Sequence, residues 1–427
     1  IAVIHAANGD VSMRITRVVN GAAAPTATMR LRKTPRQYKR AFMLRLILLA
    51  TSLLLTSTQV NAAAVVPAPP NIAADAYLLV DYDSGKILVE HNIDDRLPPA
   101  SLTKMMTAYI LAEEIDAGRL SLDDEVPVSR NAWSQNPTFR GSSLMWIEPG
   151  MPVTVRELER GIVISSGNDA TVAIAEHIAG SEDAFAGMMN SYAELLGLDN
   201  TYYANSHGLP HPEHLTTARD LATLAIATIR NHPERYKVYR EQSYTYNDIT
   251  QYNRNHLLRE DDSVDGLKTG YTSEAGYGLV ASAERDGMRL VSVVMGSAST
   301  RSRKAETRAL LNYGFRFYQT ITPVLAESAL AQGKVWKGAS DAVTAGLLEN
   351  AVMTVPRTRV EPQVDVVLSE PLVAPITRGD SVGTVRVLLG EELVGEYPLL
   401  ALEDVGEAGF FASLWDGFML WLTSLFG

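Results

Sequence analysis

Residues that predict β-strands lie at both ends of a long region that predicts helices. Residues 76–91 contain two β-prone runs around an Asp-Ser-Gly turn, and residues 276–283 and 289–295 form a second pair. Between them, apolar residues recur at helical spacing, as in residues 155–164 and 169–178. Because distant strands must bury their apolar faces together, we expect one antiparallel sheet that its first and last strands close. The predicted fold class is α+β.

The composition changes near Pro323. From residue 323 to residue 403 the chain is rich in Val, Gly and Pro, and short alternating runs such as residues 364–368 and 382–389 are separated by turn residues. This pattern predicts a small all-β sandwich. For 427 residues, two folded domains are the ordinary expectation, and we predict the first over residues 63–322.

The C-terminal segment, residues 404–427, predicts an amphipathic helix. Its apolar face carries Phe411, Leu414, Trp415, Phe418, Leu422 and Leu425. About 17 helical residues reach roughly 25 Å, which is shorter than the hydrocarbon layer of a bilayer, and Asp416 lies near the middle. We therefore expect a helix that lies on a membrane surface and is held by its apolar side chains. A helix packed on the protein's own core is the alternative.

Residues 1–62 have the features of an export leader. Met43 and Arg45 precede an apolar run over residues 46–55, and Val60-Asn61-Ala62 fits the small-residue site that a signal peptidase cuts. We interpret residues 1–42, which are basic, as an upstream extension; a long bacterial leader is the alternative. The mature chain would then begin near Ala63 and work outside the cytoplasm.

Charge and cysteine content exclude several classes of function. Residues 63–427 carry 29 Lys and Arg against 48 Asp and Glu, and an acidic body of this kind predicts no nucleic-acid partner. The chain has 0 cysteines, which excludes cysteine nucleophiles, thiolate metal sites and disulfides.

The first chemical motif is Ser101-Leu102-Thr103-Lys104, an S-x-x-K at the predicted start of a helix. Residues three apart lie on one helix face, so the Lys104 amine can reach the Ser101 hydroxyl. A serine needs a nearby base to become a nucleophile, and a buried lysine with a lowered pKa can serve. The motif is common by chance, and a solvated helix start is the alternative.

Two further motifs follow in order. Ser166-Gly167-Asn168 lies 65 residues after Ser101 and can project a hydroxyl and an amide into one cleft. Lys268-Thr269-Gly270 lies 102 residues further on; it offers a positive charge and a hydroxyl, and its glycine permits close approach of a substrate backbone. Each motif alone is weak, but their order is typical of β-lactamases and penicillin-binding proteins.

With these motifs and the stretches at residues 265–277, 290–296 and 310–318, the chain resembles the low-molecular-mass penicillin-binding proteins, the serine-type D-Ala-D-Ala carboxypeptidases of the penicillin-binding protein 5 and 6 group. The resemblance covers residues 63–427. It implies a transpeptidase-like catalytic domain, a β-domain and a membrane-surface anchor.

The resemblance also implies roles for single residues. Ser101 would be acylated and Lys104 would be its base, while Ser166 and Asn168 would line the cleft. Lys268, Thr269 and Arg303 would bind near the terminal carboxylate of the substrate, and Gly270 would let the substrate approach the strand edge. The backbone N–H groups of Ser101 and Tyr271 would form an oxyanion hole. Some relatives have His or Thr at the position of Tyr271.

The expected reaction is hydrolysis of the terminal D-Ala from peptidoglycan stem pentapeptides, with β-lactam antibiotics as inhibitors that acylate the same serine. No cofactor is expected. The expected location is the periplasm, at the outer face of the inner membrane. A β-lactamase and an inactive wall-binding scaffold are the alternatives, and the intact Ser101 and Lys104 pair argues against the scaffold.

Three histidines, His207, His211 and His214, have a spacing that could hold zinc on a helix. Gly208, Pro210 and Pro212 predict a loop instead, so we expect no metal site here.

Overall fold

The computed structural model describes residues 2–7, 10–15, 18–19, 22–23, 66–357 and 360–426. The chain divides into two compact units, Ile1–Ala62 and Ala63–Gly427. In the first unit, strands β1 (Ala2–Ala7) and β2 (Asp10–Ile15) form one antiparallel pair, and β3 (Val18–Val19) and β4 (Ala22–Ala23) form another. The predicted signal segment and its cleavage site lie outside the described residues.

A five-stranded antiparallel sheet is the centre of the second unit. Its strands are β5 (Ala76–Asp81), β6 (Ile87–His91), β9 (Val264–Thr272), β10 (Gly276–Arg285) and β11 (Met288–Ser297). The order is β6-β5-β11-β10-β9, so the first strand of the unit pairs with the last strand of the sheet along the chain. The predicted closure of the sheet is confirmed. A separate hairpin, β7 (Ser243–Tyr246) and β8 (Ile249–Tyr252), lies in the connection before β9.

Helices occupy the chain between β6 and β7. They are α1 (Lys104–Asp116), α2 (Val155–Arg160), α3 (Asn168–Ala179), α4 (Glu182–Leu195), α5 (Ala218–Asn231) and α6 (Pro233–Tyr236). The helix predicted over residues 155–164 is α-helical only to Arg160, after which Gly161–Ser165 forms a π-helical turn. One further helix, α7 (Thr300–Phe317), follows β11.

Both faces of the sheet are buried. Val291 and Val293 of β11 pack into the core of the helical region, whereas Leu290 and Val294 pack into a second core with residues of α7 such as Leu310. Alternate residues of a strand point to opposite faces, so a strand covered on both sides reads as a nearly continuous apolar run. This explains the sequence LVSVVM at residues 290–295.

Residues 318–401 are all-β, as predicted for this part of the chain. The strands are β12 (Tyr318–Val324), β13 (Ala331–Trp336), β14 (Ala342–Gly346), β15 (Ala351–Pro356), β16 (Pro362–Leu368), β17 (Leu372–Val373), β18 (Ser381–Leu389) and β19 (Glu392–Ala401). Strands β12 and β15 pair with each other, and the others form a six-stranded sheet in the order β16-β18-β19-β14-β13-β17. Val343, Val385 and Leu399 are fully buried in its core. Strand β12 follows α7 directly and spans residue 323; the division of the chain at that residue stays a prediction.

Helix α8 (Phe410–Phe426) ends the described chain. The Asp416 carboxylate accepts a hydrogen bond from the backbone N–H of Lys337, the residue after β13, at 2.7 Å. Among the described side chains of the helix, the exposed large apolar ones are Phe410, Phe411, Leu414, Trp415, Phe418 and Trp421. Within the described residues, no helix has both the length and the apolar character needed to cross a membrane.

Candidate active site

Ser101 lies in a 3-10 turn, Ala100–Thr103, that runs directly into α1. The preceding residue, Ala100, has a φ of 49°, a left-handed conformation that costs energy for a residue with a Cβ. Its carbonyl is approached closely by Gly208, where an added Cβ would lie 1.8 Å from the Ala100 oxygen. The turn that contains Ser101 is therefore strained, and the loop packed against it has no room for a side chain at position 208.

Lys104 is the first residue of α1, and it is only 1% exposed. Its Nζ donates hydrogen bonds to Asn168 Oδ1 at 2.6 Å and to the His207 carbonyl at 2.7 Å, and it lies 3.2 Å from Ser101 Oγ. Burial lowers the pKa of Lys104 to about 7, with Asp169 and Glu182 opposing the shift and Arg254 adding to it. Near neutral pH, much of this amine is uncharged. Because two carbonyl oxygens take its two N–H bonds, the lone pair of the neutral amine is left for Ser101.

The second motif lies where the π-helical turn meets α3. Ser166 has a φ of 59°, and Asn168 begins α3. The next residue, Asp169, is fully buried. Its two carboxylate oxygens accept hydrogen bonds from the backbone N–H groups of Met145, Trp146 and Ile147 and from its own helix at Ala170, over 2.8–3.2 Å. These bonds fasten residues 145–147 to the start of α3, next to the motif Ser166-Gly167-Asn168.

The third motif lies within β9, at the edge of the sheet. Lys268 is buried, and its Nζ donates to Ser166 Oγ at 2.9 Å and to the Thr269 carbonyl at 3.1 Å. Burial, with repulsion from Lys104, holds the pKa of Lys268 well below its usual value. The two lysines are thus joined to the same motif: Lys104 through Asn168 and Lys268 through Ser166.

Gly270 has a packing role that the sequence did not indicate. A Cβ at this position would lie 2.9 Å from the Pro99 carbonyl oxygen and 3.1 Å from Leu102 Cγ. The absence of a side chain therefore lets β9 lie against the turn that contains Ser101. The expected approach of a substrate to Gly270 stays a prediction, and the structure adds the close approach of the turn that contains Ser101.

Arg303, near the start of α7, is 6% exposed and reaches across two strands. It donates to the carbonyls of Gly270 and Gly278 at 3.1 and 3.3 Å, and its guanidinium lies 5.7 Å from the centre of the Tyr277 ring. Burial lowers the pKa of Arg303 to about 10. Tyr271 stacks on Tyr277 with their ring centres 4.2 Å apart.

One cleft of about 240 Å³ contains most of the predicted residues. Its walls include Ser101, Ser166, Asn168, Thr269, Gly270, Tyr271 and Arg303. Lys104 and Lys268 lie behind these walls and contact the cleft through their partners. The structure thus brings together every residue that the three motifs and the resemblance predicted.

Arg254 also lines the cleft, and the sequence analysis missed it. It lies in a loop between Asn253 and Asn255, which are both buried. Asn253 donates to the carbonyls of Tyr239 and Glu241, and Asn255 donates to that of Gly266. The two asparagines hold the loop so that Arg254 faces the cleft. An arginine between two asparagines has no recognised sequence signature, so no pattern could have found it.

The three histidines lie in a loop, and two of the rings have other partners. His214 Nε2 lies 2.9 Å from Thr103 Oγ1, and His207 Nε2 lies 3.3 Å from Glu182 Oε1. Burial lowers the pKa of His207 to about 3 and that of His214 to about 4. Among the described residues, no group of three or more His, Cys, Asp or Glu could hold a metal ion.

Comparisons with known families match both parts of the chain. Residues 63–299 match the family described as D-alanyl-D-alanine carboxypeptidase, peptidase family S11. Residues 318–407 match the family described as penicillin-binding protein 5, C-terminal domain.

Individual relatives agree with the family matches. D-alanyl-D-alanine carboxypeptidase DacA of Escherichia coli is 43% identical over 371 residues, which are 86% of this chain and 92% of that protein. DacC of the same organism is 43% identical over 362 residues, which are 84% of this chain and 90% of that protein.

Solved structures share the fold. Penicillin-binding protein 5 from Haemophilus influenzae matches with a TM-score of 0.76 and 40% identity, over 80% of this chain and 100% of that one. Penicillin-binding protein D2 from Listeria monocytogenes, in its cefotaxime-bound form, matches with a TM-score of 0.54 and 30% identity, over 58% of this chain and 100% of that one. The resemblance and the fold class predicted from the sequence are confirmed, and the chain belongs to the serine-type D-alanyl-D-alanine carboxypeptidases, in the group that carries the C-terminal domain of penicillin-binding protein 5.

Proposed function

We propose that this protein removes the terminal D-Ala from peptidoglycan stem pentapeptides through an acyl-enzyme at Ser101. The observation that carries the proposal is the arrangement of Lys104, whose Nζ contacts Asn168, the His207 carbonyl and Ser101. A neutral amine held by two acceptors has its lone pair directed at the third group. That group is the hydroxyl that must lose a proton.

The proposed reaction has two halves. In the first, Lys104 takes the proton of Ser101, Oγ bonds to the carbonyl carbon of the penultimate D-Ala, and the C–N bond breaks as the proton passes to the departing D-Ala amine. In the second, water attacks the ester, its proton returns through Lys104 to Ser101 Oγ, and the tetrapeptide leaves. The backbone N–H groups of Ser101 and Tyr271 are proposed to stabilise the oxyanion in both halves.

Positive charge on one side of the cleft supports recognition of a C-terminal carboxylate. Arg303 and Arg254 line the cleft, Thr269 adds a hydroxyl, and Lys268 lies directly behind it. Among the described residues that line the cleft, none is Asp or Glu. A peptide that ends in a free carboxylate would gain from this field, whereas an internal peptide segment would not. The proposed activity is therefore that of a carboxypeptidase.

β-Lactams present a strained amide beside a carboxylate, so they fit the same groups. A related structure, penicillin-binding protein D2 from Listeria monocytogenes, is known in ampicillin-bound and cefotaxime-bound forms. We propose that β-lactams inhibit this protein by acylating Ser101. The family assignment favours the carboxypeptidase over the alternatives of a β-lactamase and an inactive scaffold.

The proposed location is the periplasm, at the outer face of the inner membrane. The exposed apolar side chains of α8 support attachment to a membrane surface, because a contiguous apolar face of this kind is costly in water. The two tryptophans, Trp415 and Trp421, suit the headgroup region.

The deciding experiment measures D-Ala release from a pentapeptide that ends in D-Ala-D-Ala. The chain from residue 63 should release D-Ala over many turnovers, and Ser101→Ala should release none while its circular dichroism spectrum is unchanged. The same variant should lose covalent labelling by a fluorescent penicillin. Stoichiometric labelling of Ser101→Ala would place the nucleophile elsewhere, and a wild-type chain that labels without releasing D-Ala would contradict the proposed substrate.

A further inference from the structure

The carbonyl that holds Lys104 belongs to a loop, residues 205–209. His207 O accepts from Lys104 Nζ at 2.7 Å, and Ser206 O accepts from Thr107 Oγ1 at 2.6 Å. Lys104 and Thr107 lie about one turn apart on the same face of α1. Two successive carbonyls of the loop are therefore bonded to α1, and the position of the loop sets the direction of the Lys104 amine.

A single carboxylate fastens this loop from the other side. Glu182, the first residue of α4, uses Oε1 to accept from Ser206 N at 3.1 Å and from Ser206 Oγ at 2.7 Å. The same oxygen lies 3.3 Å from His207 Nε2. The two residues that Glu182 holds are those whose carbonyls contact α1.

The tautomer of His207 follows from its other nitrogen. Nδ1 accepts from the backbone N–H of Leu209 at 3.0 Å, so Nε2 carries the hydrogen and points at Glu182. Burial, with the Lys104 charge nearby, lowers the pKa of His207 to about 3. The ring therefore stays neutral at the pH of catalysis.

The loop has little freedom apart from these bonds. Asn205 Oδ1 accepts from the backbone N–H of Gly208 at 2.7 Å. Gly208, at a φ of 86°, packs on the Ala100 carbonyl with no room for a Cβ. A shift of the loop at Ser206 and His207 would thus be transmitted to the Lys104 contact.

We propose that Glu182 is a positioning residue for acylation, because it holds, through Ser206 and His207, the carbonyl that keeps the Lys104 amine on Ser101. The inference rests on the proposed role of Lys104 as the base. Glu182 is not among the residues that line the cleft, so it acts through the loop and not on the substrate.

Glu182 also acts on Lys104 by charge, and this gives the test a second readout. The titratable and charged groups that face Lys104 come from several elements: Asp169 on α3, Glu182 on α4, Lys268 on β9, and Arg254, His207 and His214 on loops. Asp169 and Glu182 raise the pKa of Lys104, and Arg254 lowers it. Removal of the Glu182 charge should therefore lower the pKa of Lys104 further.

The experiment measures the rate of acylation by a fluorescent penicillin from pH 5 to pH 9. Glu182→Gln keeps an acceptor oxygen, so its rate at high pH should stay within about threefold of wild type, while the rise in rate moves to lower pH. Glu182→Ala loses both the charge and the acceptor oxygen. Its rate at high pH should fall about 10- to 100-fold, the cost of misplacing a reacting group by roughly 1 Å. Asp183→Ala is the matched control, since Asp183 lies exposed in the same helical turn and should change neither quantity.

The variants separate the possible failures. Lys104→Ala is measured in parallel; if it acylates at the wild-type rate, the proposed base is wrong. If Lys104→Ala is inactive but Glu182→Ala matches wild type in both rate and pH profile, the inference about Glu182 alone is wrong. If circular dichroism shows that Glu182→Ala does not fold, Ser206→Ala decides: it removes the bond of 2.7 Å to Glu182. A lower rate supports the inference, and an unchanged rate overturns it.

Discussion

Two buried lysines lie behind the walls of one cleft, and their surroundings give them different roles. Lys104 has acceptors for two of its hydrogens and a hydroxyl at the third position, whereas Lys268 donates to Ser166 and to a backbone carbonyl. Burial and mutual repulsion lower the pKa of Lys268, and burial lowers that of Lys104 to about 7. The protein lowers lysine pKa values by excluding water and by placing like charges together.

The pH dependence of acylation should follow Lys104. In the proposed reaction the neutral amine of Lys104 is the base, so the rate should be low below the pKa of about 7, rise through it, and level off above. Stopped-flow acylation by a fluorescent penicillin at saturating concentration would measure this profile. A rate that is independent of pH, or a rise centred near the ordinary lysine pKa, would contradict the assignment of the base.

The fate of the penicilloyl ester depends on which residues can activate water. None of the described residues that line the cleft is Asp or Glu, so no carboxylate is available there as a second base. We expect acylation by penicillin to be fast and the label to persist for minutes or longer, because the bulky acyl group blocks water. The natural acyl-enzyme has expelled D-Ala and should turn over. Timed loss of bound label tests this, and penicillin hydrolysis at many turnovers per second would instead indicate a β-lactamase.

At the scale of elements, the cleft depends on segments that are not regular helices or strands. Residues 145–147 are held to the start of α3 by Asp169, and Trp146 adopts a φ of 73° within that segment. The neighbouring chain supplies Ser142 and Ser143 to the cleft wall. Asp169 is a buried carboxylate that accepts from four backbone N–H groups, and it thus keeps the strained residues 145–147 in place beside the cleft wall.

Replacement of Asp169 should therefore destabilise the whole domain. Asp169→Ala leaves four backbone N–H groups without their acceptor, and each unsatisfied buried donor costs about 1–3 kcal/mol. We expect the free energy of unfolding to fall by about 3 kcal/mol or more. Urea denaturation measures this, with the exposed Asp183→Ala as control; a loss below about 1 kcal/mol would show that the segment is held by other contacts.

At the scale of the whole molecule, α8 is joined to the β-domain. Asp416 accepts a hydrogen bond from the Lys337 backbone. Glu407, just before the helix, forms an antiparallel bridge with Gly338, the residue after Lys337. The predicted interfacial helix is therefore bonded to the rest of the chain on one side while its large apolar side chains are exposed. Such a joint would fix the orientation of the β-domain on a membrane surface.

Deletion of residues 409–427 should release an active protein that no longer binds membranes. None of the described residues in this segment lines the cleft, so D-Ala release should be unchanged. Sedimentation with phospholipid vesicles, for the truncated and the full chain from residue 63, measures binding. If the truncated chain still sediments with vesicles, another part of the chain binds the membrane; if it unfolds, the helix is needed for the fold. Either result contradicts the proposed anchor.

The sequence by itself was sufficient for the fold class, the β-domain, the terminal helix and the three motifs. These features depend on local spacing. Side chains on one face recur at every second residue in a strand and at about one turn in a helix, and each motif spans only three or four residues. Ser101 and Lys104, for example, are neighbours because of a single turn. Such relations are set by the backbone before any distant contact forms.

Only the tertiary structure decided how the motifs work. Arg254 faces the cleft because two asparagines donate hydrogen bonds to distant carbonyls. The absence of a side chain at Gly270 lets the turn that contains Ser101 pack against β9. Lys104 acquires its lowered pKa from burial, and its amine is oriented by a carbonyl 103 positions away in the chain. Contacts between residues so far apart are formed by packing, and packing leaves no periodic trace in a single sequence. The motifs therefore supply the chemical groups, while the fold determines their protonation and direction.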